Sequence, residues 1–402
     1  MHARLSKLAV GLTIIAIAVA VVALGLLPGA NPSATQQAAG MTAIGSFAAS
    51  SEPSVSPGGV AVAISSIRSG TSGLSGTSIE PTTAAPTAAP TAAPTAQPSP
   101  EPPPVIAAAG DIACDPGDPA LRPNGQGNPG GTICQEMGTS QLLVTGGYSA
   151  VLPLGDDQYY CGSTAAFKEV YGPSWGRLKA ITHPVPGNHE YVTTPGTVPA
   201  TNCDETNNGA AGYFGYFGAA AGQVGQGWYS FDVGAWHLIA LNSQCSSVGG
   251  CGPTSPEGSW LAADLASHPN RCTLAYWHVP LFSSGGRAAP DTLPLWRALY
   301  AAGADVVLNG HDHIYERFAP QDPAGAADPT RGITEFIVGT GGANHTSIAT
   351  VAANSVIRDT TTFGVLAMTL NPGGMDWRFV PAPGTGKFTD SGSLTCHAAS
   401  GR

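Results

Sequence analysis

Two histidines one residue apart, His311 and His313, close the apolar run of "ADVVLNGHDH", and other apolar runs of the chain stop at residues of similar character. "VIAAA" runs into Gly110-Asp111, and "AVLPL" into Gly155-Asp156 with Tyr159 shortly after. "HPVP" runs into Gly187-Asn188-His189-Glu190, and "TLAYW" into His278. Each piece alone is ordinary, since Gly-Asp after a strand is usually a turn in which glycine frees the backbone and aspartate hydrogen-bonds it. Together the runs deliver carboxylates, an amide oxygen, a phenol and imidazoles. That is a hard-to-intermediate donor set without thiolate, suited to Fe, Mn or Zn and not to Cu(I). Asp111, Asp156, Tyr159, Asn188, His278, His311 and His313 are more donors than one ion needs, but they suit two ions sharing a bridging carboxylate. Two metals ~3.5–4 Å apart clamp the attacking and leaving oxygens of an in-line displacement at phosphorus.

Elements must hold those residues in register. The apolar runs alternate with "STAAFKEVYG", "SPEGSWLAADLA" and "TLPLWRALYAA", which have helical spacing. This predicts an α/β layout with five strands feeding the site, because open α/β sheets bind ligands outside the C-terminal ends of their strands. His237 alternates with apolar residues and reads as structural. His183, just before Pro184, reads as a support behind the site and not as a catalytic group. Asp157 is expected to face away from the metals, since neighbours in an extended segment point to opposite sides. Glu316 and Arg317 are expected to brace the histidine loop through ion pairs, and His345, after Gly341-Gly342, is a candidate for the border of the cleft.

The folded part is expected at residues 105–402. Residues 1–27 contain the uncharged run "LAVGLTIIAIAVAVVALGLL", of membrane-spanning length at roughly 20 residues, behind Arg4 and Lys7. The positive-inside rule then keeps the N-terminus in the cytoplasm and sends the rest outside, with the segment either a retained anchor or a cleaved signal peptide. The first 113 residues contain no cysteine to acylate. Residues 28–104 are a linker with almost no charge and the repeat "PTTAAPTAAPTAAPTAQPSPEPPP", too poor in apolar surface to fold and prone to polyproline II. All 8 cysteines lie beyond it, and an even count behind an export signal points to disulfides in an oxidising compartment. Proximity favours Cys245–Cys251, then Cys114–Cys134. The net charge of −10 excludes a nucleic-acid-binding surface.

The set "GD…GDxxY…GNHE…H…GHxH" resembles the calcineurin-like metallophosphoesterases, and within them the purple acid phosphatase branch. The resemblance extends over residues 105–402 and includes "WYSFDVGAWHLIALNS", "SWLAADLA" and "FIVGTGGA". It implies a four-layer α/β/β/α sandwich. It also implies one metal on Asp111, Tyr159 and His313, a second on Asn188, His278 and His311, and Asp156 bridging the two. His189 would stand beside them as proton donor or oxyanion stabiliser. Many relatives carry a histidine in the first motif where Asp111-Ile112-Ala113 has none. Tyr159 takes its place, and its phenolate would favour Fe(III), with Fe, Zn or Mn at the second position. The plant branch follows its metal histidine with an N-H-H stretch that contacts substrate, whereas this chain has "HVPLFSSGGRAAP", with Ser283, Ser284 and Arg287. The implied activity is hydrolysis of phosphomonoesters outside the cytoplasm by a metal-activated water or hydroxide, in a membrane-anchored or secreted protein. The alternatives are a phosphodiesterase or nucleotidase of the same fold, and a non-catalytic surface binding protein, against which the intact ligand set argues.

Overall fold

The structure is a computed structural model that describes residues 101–121, 131–192, 203, 205–269 and 271–397. The apolar run in 1–27 and all but the last residues of the 28–104 linker lie outside the described residues. No described helix is long and apolar enough to cross a membrane.

Short β-branched and apolar stretches become strands, and the segments of helical spacing become helices. In chain order these are β1 (Val105–Ala109), α1 (Glu136–Gly146), β2 (Ala150–Pro153), α2 (Thr164–Ala166, continued by a π-helical turn, Phe167–Tyr171) and α3 (Ala211–Phe217). Next come the hairpin β3 (Tyr229–Val233) and β4 (Trp236–Ala240), α4 (Pro256–Ser267), β5 (Cys272–Tyr276), α5 (Leu293–Ala302) and β6 (Val306–Asn309). The chain closes with β7 (Tyr315–Phe318), β8 (Thr334–Val338), β9 (Ser355–Asp359), β10 (Gly364–Asn371), β11 (Gly374–Pro381) and β12 (Ser391–Thr395). Ser255 caps α4 by accepting from the Gly258 N–H at 3.1 Å, with Pro256 at the first turn, where its missing N–H costs nothing.

The strands form two sheets, of order β12-β11-β10-β1-β2 and β3-β4-β5-β6-β8-β7-β9. β1 and β2 are parallel, as are β4, β5, β6 and β8. Alternation along the strands divides the apolar residues between two cores. Leu238, Leu274, Val306 and Leu308 join Ile106, Val365, Met368 and Phe379 in a core shared by the two sheets. Ile239, Ala275 and Val307 instead pack with Leu261 of α4 and Trp296 and Leu299 of α5. With α1 packed on β10, the layers read helix, sheet, sheet, helix: the four-layer sandwich. Each apolar residue buried this way contributes on the order of 1.5–3 kcal/mol.

One expected strand does not form. Pro184 and Pro186 of "HPVP" have no N–H for a ladder, so the segment makes only single bridges, Thr182 to Val151 and Val185 to Leu154. It still runs extended beside β2 and delivers the next loop. Disulfides join Cys114–Cys134 and Cys245–Cys251, the two expected pairs, and Cys161–Cys203 and Cys272–Cys396. The last ties the start of β5 to the residue after β12, one sheet to the other.

Candidate metal centre

The loops after β1, β2, β5 and β6 bring six of the seven candidate donors together, and the loop after the "HPVP" segment, which carries the seventh, Asn188, is joined to Asp156 through the His189 backbone N–H. Reaching this convergence bends the backbone. Asp111, Asp156 and His311 all adopt positive φ, at 60°, 48° and 70°. For a residue with a side chain the left-handed region costs of order 1–3 kcal/mol, so the fold supports this strain from elsewhere. Two glycines make room. A Cβ at Gly187 would lie 2.2 Å from Asp156 Oδ1, and one at Gly155 would lie 2.7 Å from the His278 ring.

Two triads result. In the first, Tyr159 Oη donates to Asp111 Oδ1 at 2.7 Å, His313 Nε2 lies 2.9 Å from Tyr159 Oη, and His313 Nε2 lies 3.2 Å from Asp111 Oδ1. In the second, Asp156, His278 and His311 present donor atoms all within 4.8 Å of one another. His278 Nε2 lies 3.1 Å from Asp156 Oδ2 and 3.2 Å from His311 Nδ1. Asp156 Oδ2 also accepts from Tyr159 Oη at 3.1 Å, so a single carboxylate oxygen stands between the triads.

The ring nitrogens that face outward are anchored. His278 Nδ1 meets the Leu154 carbonyl at 2.8 Å, and His313 Nδ1 meets Asn344 Oδ1. Both contacts leave Nε2 facing inward, the arrangement that metal-binding imidazoles need. Asn188 adds a buried Oδ1 with no hydrogen-bond partner among the described residues. A buried orphaned acceptor in the GNHE loop and two imidazole nitrogens that face each other at 3.2 Å each ask for a cation, and the donor set fits a pair of such ions.

The charges tell the same story. Burial raises the Asp156 carboxyl, but the charges of His278 and His189 outweigh it and hold the group far below the usual carboxylate range. Burial works against the His278 cation, yet Asp156 pushes its pKa up to about 9. His311 falls to about 4, through burial and the charge of His278. Burial and the charges of Asp111 and Asp156 keep Tyr159 a phenol well above its ordinary range, so only a strong nearby cation would ionise it.

His189 stands at the edge, its side chain a quarter exposed and its Nε2 3.9 Å from Asp156 Oδ2. Its Nδ1 meets the Tyr160 carbonyl at 2.6 Å, and its backbone N–H donates to Asp156 Oδ1 at 2.9 Å. Beside Tyr159 opens a cavity of about 120 Å³, lined by Asp115, Asp118, Tyr160 and Asn344 among others.

Several residues of the site carry no donor signal in the sequence. Glu190 accepts from the backbone N–H groups of Gly187 at 2.6 Å, Asp156 at 3.0 Å and Gln158 at 3.2 Å, tying three loop segments together. Its place in "GNHE" is the one signal for it. Asn344 lies distant in sequence and carried none. The other polar candidates separate from the site. His183 stacks on Phe231 at 3.9 Å, so it is a packing residue away from the centre. His345 Nδ1 meets the His313 carbonyl at 3.1 Å, behind that histidine's ring. Among the described residues Asp157 has no hydrogen-bond partner for its buried carboxyl, which burial and the charges of Glu190 and Asp156 push well above the usual range. The expected ion pairs after the histidine loop are only half right. Arg317 pairs with Asp390 at 2.7 Å, whereas the buried Glu316 accepts hydrogen bonds from Ser284 and Ser355 and has no ion-pair partner among the described residues.

Several known proteins are similar to this chain in sequence or in fold. The sequence pattern of the calcineurin-like phosphoesterase family matches residues 138–315. Purple acid phosphatase 15 of Arabidopsis thaliana is 28% identical over 199 residues, 45% of this chain and 34% of that protein. Purple acid phosphatase 18 of the same plant is 34% identical over 125 residues, 29% of this chain and 26% of that one. The match thus spans about a third or less of the length of these relatives. Among solved structures, the purple acid phosphatase PPD1 from yellow lupin (Lupinus luteus) seeds superposes with a TM-score of 0.56 at 17% identity, covering 72% of this chain and 53% of that one. GAP50, the anchor in the inner membrane complex of Plasmodium, gives 0.50 at 15% identity over 74% of this chain and 90% of its own. At such identities the two structures speak for the fold alone.

Proposed function

Because the chain carries a calcineurin-like phosphoesterase domain related to the purple acid phosphatases, we propose that it is a binuclear metal-dependent phosphatase that hydrolyses phosphomonoesters outside the cytoplasm. The observation that carries this reading is the single oxygen of Asp156, 3.1 Å from both Tyr159 Oη and His278 Nε2, the place a bridging ligand must occupy. Asp111, Tyr159 and His313 would hold one metal, and Asn188, His278 and His311 the other. Two ions there would supply Lewis acidity and lower the pKa of an attacking water.

The chain's own groups do the rest. Glu190 holds the Asp156 and Asn188 loops in fixed relation through its three backbone contacts. The Tyr160 carbonyl fixes the His189 ring, whose Nε2 at the open edge gives its proton to the departing alcohol. The cavity beside Tyr159 receives that alcohol. Tyr159 as a phenolate favours Fe(III) in the first position, with Fe, Zn or Mn in the second. Four disulfides fit an oxidising compartment, reached by residues 1–27 acting as anchor or cleaved signal, with 28–104 as spacer.

Elemental analysis of the purified protein, with a panel of phosphomonoesters and phosphodiesters, tests the reading. Two metals per chain and a preference for monoesters are expected. Diester preference would favour the phosphodiesterase alternative, and a metal-free protein without turnover would leave a binding protein that keeps the fold. Cell fractionation tests the compartment: full-length chain in the membrane fraction marks an anchor, and chain found only in the medium marks a cleaved signal.

A further inference from the structure

A phosphate ester seated on a metal centre needs partners for the oxygens that do not face the ions. The segment after His278, "VPLFSSGGRAAP", is built onto the metal loop in a way that supplies one. Asp312, between His311 and His313, is fully buried and acts as its fastening. Ser283 Oγ donates to Asp312 Oδ2, the Arg287 backbone N–H donates to the same oxygen at 3.3 Å, and Arg287 Nε lies 3.9 Å from Oδ1. At Gly285 the approach is so close that a Cβ would lie 2.3 Å from the Asp312 carboxyl carbon. From the other side Glu316 takes the Ser284 N–H at 2.9 Å and the Ser284 hydroxyl at 2.5 Å. The loop is therefore fixed, and so is the position of what it presents.

What it presents is a guanidinium. Arg287 Nη1 donates to the His311 carbonyl at 3.3 Å, which sets the group beside a metal histidine, while 47% of the side chain stays exposed. In a chain with 16 basic residues against 26 acidic ones, a cation pinned at this spot is not explained by a generally basic surface. Its links to Asp312 are loose on the side-chain atoms, leaving N–H groups to offer.

Resting on the phosphoesterase reading above, we infer that Arg287 is the phosphate clamp of this cleft. Its guanidinium binds non-bridging oxygens of the ester and sets a preference for the monoester dianion over the diester monoanion. A planar fork of N–H groups suits paired phosphate oxygens, and a dianion gains more from the charge than a monoanion does.

The test uses the full-length, metal-loaded protein and three variants, Arg287→Ala, Arg287→Gln and Arg287→Lys. Metal content, the Kd for inorganic phosphate by calorimetry, and kcat and KM for p-nitrophenyl phosphate and bis(p-nitrophenyl) phosphate are measured for each. Both Ala and Gln should keep the metals and weaken phosphate binding by roughly tenfold to a hundredfold, the worth of a charge-assisted contact. The monoester KM should rise by a similar factor and the diester KM much less, so that monoester preference falls. Lys should recover part of the loss, since a point charge lacks the fork. Unchanged phosphate binding overturns the inference. So does full recovery by Gln, or metal loss in both Ala and Gln, because each makes Arg287 a brace for the His311 loop. A wild-type protein that binds metals and phosphate but turns over neither ester defeats the phosphatase reading, while its phosphate Kd still decides the role of Arg287.

Discussion

Among the described residues stand two clusters of histidine and aspartate, and by residue type either could be a metal site. One is the convergence of Asp111, Asp156, His278, His311 and His313. The other lies on β3, β4 and α4, where His237 Nδ1 is 3.0 Å from Asp232 Oδ1 and Nε2 is 2.8 Å from Asp264 Oδ2. In the second cluster every group has its answer within the chain. Asp264 also accepts from the Ser230 hydroxyl at 2.7 Å, Arg271 reaches Asp232 at 3.3 Å, and His268 stacks on His237 at 3.8 Å. With only 16° between the planes of those rings, no single ion lies in both. None of Asp232, His237, Asp264 and His268 has positive φ. The first cluster is the reverse, with three residues at positive φ, two imidazole nitrogens facing each other at 3.2 Å and Asn188 Oδ1 without a partner among the described residues. Donor types mark both places; unmet demand and supported strain mark only the one built for a ligand.

The comparison breaks first at Asp156. Asp156→Ala removes the oxygen that touches both triads, so it should empty both metal positions and take activity to background, beyond the ~100-fold that a supporting residue costs. The core and disulfides should keep it folded. Two metals per chain in this variant, by elemental analysis, would end the bridge assignment. Next comes Glu190→Gln, which keeps the shape but cannot accept from Gly187, Asp156 and Gln158 together. A loss of ~10–100-fold in metal affinity or kcat/KM is expected, read by titration of the metal-free protein and by turnover. An unchanged affinity would mean that the loops hold themselves.

How much of this was legible in the sequence follows from how local each signal is. Residues ending apolar runs carry their own placement, because a run that stops at a polar residue marks the end of an extended segment; Asp111, Asp156, Asn188, His278 and His311 were read that way. Tyr159 came from its spacing after Asp156, since a tyrosine does not mark a site by itself. Asn344, opposite His313, was not legible. It depends on the turn after β8 folding back over the β6 loop, a long-range event with no local pattern. The "HPVP" strand failed for the opposite reason: hydropathy favoured it, but two prolines removed the ladder donors. For Glu316 the charge suggested an ion pair, and only burial, which the sequence does not display, turned its partners into hydroxyls.

Tyr159→Phe sharpens the comparison within the metal cluster, since it removes one donor and keeps the ring. Without a cation the phenol stays protonated under burial and the charges of Asp111 and Asp156. A phenolate band in the visible spectrum of the iron-loaded, oxidised protein therefore reports Fe(III) at Tyr159 directly. Phe should bleach it, with activity falling less than in Asp156→Ala and with little change in stability, since the volume is conserved. An iron-loaded wild type without the band, or a variant that keeps it, would remove Tyr159 from the ligand set.

The smallest effect belongs to the satisfied cluster. His237 loses stability as a cation by burial but gains more from Asp264 and Asp232, so its folded pKa lies above the unfolded value of about 6.5. A raised pKa contributes stability that is fully present below the unfolded value and is lost as pH rises through the folded one. Asp264 stays ionised throughout that window: burial alone would raise its carboxyl, but the contacts with His237 and Ser230 hold it low. His237→Gln keeps polarity and gives up the charge, with His268 and Arg271 left in place. Urea unfolding should show a loss of ~1–3 kcal/mol at pH 5–6, shrinking as pH rises past the folded pKa, with metal content and turnover unchanged. A pH-independent loss would mean that neutral hydrogen bonds, and not the cation, hold this cluster. A loss of turnover or metal would be the more serious result, because the contrast between a cluster that stabilises the fold and one that waits for a ligand would then no longer hold.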